Sequence, residues 1–135
     1  MSENQNGDHF FIDDGYTRDF RIDAVPGLHP ALSGTFRPVL PDERIRLRVT
    51  NLGSRDGGGC AFRTAKVLEA HILDWDAKQI KKKDGGGETY KLVMEFVEAP
   101  VKAEWIVKLQ ADLFSKLENI VLGYEPAEAI ADAKN

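Results

Sequence analysis

The sequence predicts an α+β fold, a small antiparallel sheet or β-hairpins packed against two to four helices in a single domain, and three patterns carry that expectation. Residues 16–24 set Tyr16, Arg18, Phe20 and Ile22 against polar neighbours, the period-2 alternation of a half-buried strand. Ala61, Ala65, Leu68, Ile72 and Trp75 recur at i, i+4, i+7, i+11 and i+14, which places them on one face of a helix running from Cys60 to Asp76. Trp105, Leu109, Leu113, Leu117 and Ile120 repeat helical spacing as far as Gly123, a residue suited to a helix C-cap.

Between these stretches the remaining elements follow in order. The polar residues 1–8 have no apolar anchor and are expected to form a flexible N-terminus ahead of a domain spanning 9–123. Asp13-Asp14-Gly15 is a turn signal before the first strand. Val25-Pro26-Gly27-Leu28-His29-Pro30 cannot continue a ladder and reads as a loop. Residues 33–39 then supply a second strand, antiparallel to the first. Pro41-Asp42-Glu43 combines a proline that pre-sets φ with two acids at the positive end of a helix dipole, so a helix is expected over about 41–51. Its apolar residues Ile45, Leu47, Val49 and Leu52 also fit a strand. The glycine-rich 53–59 reads as a mobile link. Past Trp75, residues 81–98 read as a β-hairpin or extended arm with a mobile tip at 84–87, and Tyr90, Leu92, Met94 and Phe96 share one of its faces. The last helix is open to interruption near Gln110-Ala111-Asp112, and the alanine- and charge-rich 124–135 is expected to be a weakly ordered tail.

Composition narrows the function classes. A chain of 135 residues with 42% hydrophobic content suits one domain with a real core. Eighteen basic residues against twenty-two acidic ones leave a formal charge of -4, so no global basic field draws the protein to nucleic acid or to an anionic membrane. Apolar runs fall far short of the roughly 20 residues that cross a bilayer, and the polar start is no signal peptide, so a cytoplasmic protein is expected. The single cysteine, Cys60, excludes an internal disulfide and a multi-cysteine zinc site.

Candidate chemistry is sparse. Gly53 and Gly58 have P-loop spacing, but Gly59 and Cys60 stand where lysine and a hydroxyl residue would hold phosphate and magnesium. His9, His29 and His71 are too far apart in sequence for a local zinc motif. His71 and Asp74 share a helix face if the helix reaches Asp76, and Asp74 with Asp76 could divide acid and base roles, although a spacing of two on a helix points them apart. Cys60 at a helix start is a nucleophile only with a base brought from elsewhere. Lys81-Lys82-Lys83 lacks the interleaved aromatics of a base-stacking surface and reads as a solvated hairpin tip. No cofactor or metal ligand set is expected.

One ordered set of motifs resembles a known family. Gly34-Thr35-Phe36-Arg37-Pro38 precedes the acidic Pro41-Asp42-Glu43-Arg44. His71-Ile72-Leu73-Asp74-Trp75-Asp76 follows, and a leucine ladder runs from Trp105 to Gly123. Over residues 16–123 this order resembles the tail assembly chaperones of siphophages and related prophages. The chain departs from that pattern in its long 81–98 arm and in Gln110-Ala111, where a proline is usual.

The resemblance implies a non-enzymatic protein of the bacterial host cytoplasm. It would self-associate and bind the aggregation-prone tape measure protein, with the tail tube protein as a possible second partner. It further implies partner-binding residues on the last helix: Trp105, Leu109, Leu113, Phe114 and Leu117. The alternative for these residues is closure of the protein's own core. At the level of the whole chain the alternatives are a structural virion component of the tail or head-completion apparatus, and a small metal-dependent enzyme using His71, Asp74 and Asp76.

Overall fold

A computed structural model describes residues 10–13, 15–54, 57–84 and 92–125. The alternation around Phe20 forms strand β1 (Arg18–Ile22), and β2 (Leu32–Phe36) pairs with it antiparallel in a register that sets Phe20 opposite Gly34. Phe20, Ile22, Leu32 and Phe36 all point into the core, where the Phe20 and Phe36 rings meet edge-on with centroids 6.0 Å apart. The expected two-stranded ribbon is therefore present, slightly shorter than predicted at both strands.

It gains a third strand that sequence periodicity assigns to a helix. Helix α2 spans Gly57–His71 and stops there, while Ile72–Trp75 forms β3, antiparallel to β2, giving the sheet order β1-β2-β3. Ala65 and Leu68 are fully buried on the predicted face, but the helix ends at His71, about one turn before the Asp76 expected from the spacing. The cause is tertiary: β2 has an edge whose N–H and C=O groups need partners, and the segment after His71 supplies them. The switch is pinned where the Arg37 N–H donates to the His71 carbonyl at 2.8 Å and Asp76 closes the far end, its N–H donating to the Ser33 carbonyl and its Oδ1 accepting from the Ser33 N–H.

Helix α1 (Pro41–Gly53) begins at the predicted proline, which resolves the helix-or-strand ambiguity of Ile45, Leu47 and Val49. Of its apolar residues only Leu47 enters the core. The glycine link expected at 53–59 is a helix–helix corner instead: Gly53 ends α1 and the glycines from Gly57 open α2, with residues 55 and 56 outside the described set. Asn51 holds this corner together. It donates to Thr64 Oγ1 at 3.2 Å, accepts from Arg63 Nε at 2.9 Å, and offers its carbonyl to the Ser54 N–H. First-turn glycines are tolerable because the N–H groups there have no intrahelical partner and the buried Ala65–Leu68 face supplies the stabilisation.

The arm is a hairpin, as one of the two expectations had it: β4 (Lys78–Asp84) pairs antiparallel with β5 (Leu92–Glu98), with Ile80 opposite Phe96. Of the expected mobile tip at 84–87 only Asp84, the last residue of β4, is described; 85–87 and Tyr90 lie outside the described residues, as do 1–8 and 126–135. The last helix is broken where the sequence suggested. A single turn, α3 (Ala103–Ile106), is followed by a bend over 107–110 and by α4 (Ala111–Leu122). Gly123 caps α4 with φ of 88°, a left-handed conformation that favours glycine, and the Gly123 and Tyr124 N–H groups bond back to Ile120 and Asn119. One core joins the three-stranded sheet to the helices through Phe20, Phe36, Leu68, Ile106, Leu117 and Val121. No described helix is long and apolar enough to cross a membrane.

Candidate protein-docking groove

The bend between α3 and α4 leaves a concavity. Residues 108–110, the hairpin base and the segment 29–32 line a groove of about 520 Å³. Its apolar lining comes chiefly from Leu32, Ala77, Phe96, Leu109 and Leu113, and its polar rim from Asp76, Lys78, Lys108 and Gln110. Phe96 is 71% exposed, and with its cross-strand partner Ile80 it gives the hairpin an apolar face open to solvent. Trp105 sits beside the groove in a contiguous hollow that shares Ala77, Lys78, Lys108 and Leu109, with the Lys108 ammonium 4.6 Å above its ring.

The wall of the groove is braced by polar contacts. His29 is buried, with Nδ1 2.9 Å from the Pro30 carbonyl oxygen and Nε2 3.0 Å from Asp112 Oδ2. Asp112 also pairs with Lys116 at 3.0 Å, and hydrogen bonds from Lys116 and from His29 hold its carboxyl below the usual aspartate range. The Gln110 amide donates to the Leu28 carbonyl, tying the bend to the same loop. On the other side of the bend, Glu69 of α2 accepts from the Ala103 N–H at 2.8 Å and so caps the start of α3. That bond, reinforced by Lys66, lowers the Glu69 pKa. The Trp75 indole donates to the Ala99 carbonyl at 2.7 Å, fixing the hairpin base against β3.

The five residues expected to bind a partner divide. Leu113 and Leu117 are buried, Leu117 completely, so they close the protein's own core; Leu113 reaches the groove only as part of its floor. For these two residues the alternative of core closure applies, since the amphipathic stripe of α4 is covered by the sheet and α2. Phe114 and Leu109 pack against the core while remaining partly exposed, and Trp105 is half-buried. Phe96, Ala77 and Lys78 are the lining residues that sequence reasoning missed as a group. Strand alternation had set Phe96 on an apolar face, but nothing local places that face beside Leu109.

The residues considered for catalysis are dispersed. His71 lies 2.8 Å by Nδ1 from the Arg37 carbonyl oxygen and 3.0 Å by Nε2 from Glu43 Oε1, which holds the β2–α1 connection to the end of α2. Asp76 is taken up by the Ser33 N–H, and Asp74 stands exposed in β3, not on a helix face with His71. Cys60 lies within α2, its thiol 3.5 Å from the Asn51 carbonyl. Among the described residues, no three His, Cys, Asp or Glu side chains are grouped so that they could hold a metal ion. In comparisons with protein-family models, curated proteins and solved structures, nothing matches this chain.

Proposed function

We propose that this chain is a phage or prophage tail assembly chaperone that works in the host cytoplasm without catalysis, taking an apolar segment of the tape measure protein into the groove between α3, α4 and the hairpin base. The observation that supports this most is the groove itself: an apolar trough with Phe96 open to solvent and Leu109 partly exposed, flanked by Trp105, and rimmed by Lys78 and Lys108 together with Asp76 and Gln110. Such a trough suits the side chains of an amphipathic helix, and the two lysines favour acidic residues along the edges of that helix. The order of motifs in the chain supports the tape measure protein as that partner, through its resemblance to the chaperone family.

The test is co-expression with a tape measure protein of a siphophage or prophage. The soluble yield of that protein should rise with the intact chain. It should fall back when Phe96→Asp and Ile80→Asp are introduced together, paired positions exposed enough to leave the fold standing by circular dichroism. An unchanged yield with the intact chain refutes the reading. A structural virion component would instead remain in purified particles, where mass spectrometry would find it.

A further inference from the structure

Helix α1 carries an apolar stripe that faces away from the core. Ile45, Val49 and Leu52 are spaced i, i+4, i+7 and are 57%, 63% and 77% exposed, while Leu47, about half a turn round the helix, is the residue that anchors α1. Three large aliphatic side chains aligned over two turns are unusual on a surface, where single scattered ones are the norm. The stripe shares no residue with the groove.

Charge beside the stripe indicates what covers it. Arg46 flanks one side, its nearest acid being Asp42 of its own helix at 3.3 Å, with both side chains largely in solvent. Arg48 flanks the other side with no ion pair among the described residues. Together α1 and α2 hold five basic residues against three acidic ones in a chain whose formal charge is -4. The Leu52 end of the stripe opens on a notch of about 420 Å³ formed with Glu118, Leu122 and Tyr124, in which Arg44 and Arg48 stand against the one acid, Glu118.

We infer that the outer face of α1 docks an amphipathic helix whose apolar seam is bordered by acidic residues, at a surface separate from the groove. A second copy fits poorly: packing α1 on its twin about a twofold axis sets Arg46 and Arg48 against the same arginines, with Asp42 alone to offset them. Nucleic acid fits poorly as well, since the centre of the face is aliphatic and offers no stacking platform. Flanking charges that select the partner of an apolar seam are the logic of paired helices generally.

The experiment uses the full chain and two designed helical peptides with the same leucine seam, one bordered by glutamates and one by lysines, titrated by fluorescence anisotropy. The glutamate peptide should bind about tenfold or more tighter than the lysine peptide, with the difference shrinking as salt is raised. Val49→Ser with Leu52→Ser should abolish binding, and Arg46→Glu with Arg48→Glu should reverse the preference. These positions are exposed, so the variants should melt like the parent. Equal affinity for the two peptides, or binding that survives Val49→Ser with Leu52→Ser, overturns the inference. So does a dimer in light scattering that Leu52→Ser dissociates, because the stripe would then belong to a second copy.

Discussion

Gly34 should be the least replaceable small residue of the sheet. It sits in the middle of β2, opposite Phe20 on one side and Trp75 on the other. A Cβ built there would run into the Asp74 carbonyl oxygen and come within 2.7 Å of two ring carbons of Phe20, against 3.4–4 Å for ordinary contact. Neither obstacle yields cheaply. Phe20 is buried and braced by Phe36, and the Asp74 oxygen is main chain of β3, so relief requires β3 to slide out of register with β2.

The sign of Gly34→Ala follows from the competing magnitudes. Fewer unfolded conformations favour alanine by about 0.4–1 kcal/mol. Overpacking opposes it by about 1–3 kcal/mol, and a disturbed β2–β3 backbone hydrogen bond adds about 1 kcal/mol more. Net destabilisation of about 2–3 kcal/mol is expected, a fall in Tm of roughly 6–10 °C. Urea denaturation followed by circular dichroism measures it. Gly53→Ala is the control: it ends α1 with nothing within 4 Å of a new Cβ, and alanine there should add about 0.5 kcal/mol. If Gly34→Ala proves neutral or stabilising, the close β2–β3 approach is wrong, and with it the assignment of Ile72–Trp75 to the sheet.

Two further outcomes separate core from surface. Leu117→Ala should cost about 3–4 kcal/mol in the same denaturation experiment because its side chain is fully buried, whereas Leu109→Ala at the groove should cost under about 1.5 kcal/mol; equal costs would return Leu117 to the surface. Glu118 of α4 is half-buried, and desolvation raises its pKa above the usual glutamate range. Folding therefore favours its protonated form, and the penalty develops as pH rises from the unfolded to the folded pKa. Glu118→Gln should thus be more stable than the parent at pH 7 and no more stable well below the unfolded glutamate value of about 4.3, which a pH series of thermal melts would follow. A constant difference across that range would contradict the desolvation.

What could be read locally was written in backbone chemistry. Pro41 with Asp42 and Glu43 starts a helix, Gly123 stops one by adopting a conformation that side chains disfavour, and the alternation around Phe20 and Ile22 makes a strand with one wet face. These signals act within a few residues, so α+β architecture and most element identities were available from the residues alone. Ile72–Trp75 was not, because its helical spacing is real and only the unpaired edge of β2 makes extension better. The candidate sites escaped for the same reason. Whether Leu117 faces a partner or the core, whether Phe96 lies near Leu109, and whether Ile45, Val49 and Leu52 point outward depend on which other elements arrive to cover them. Burial is a property of the assembled layers, and a periodic stripe records that a face is apolar without recording what it meets.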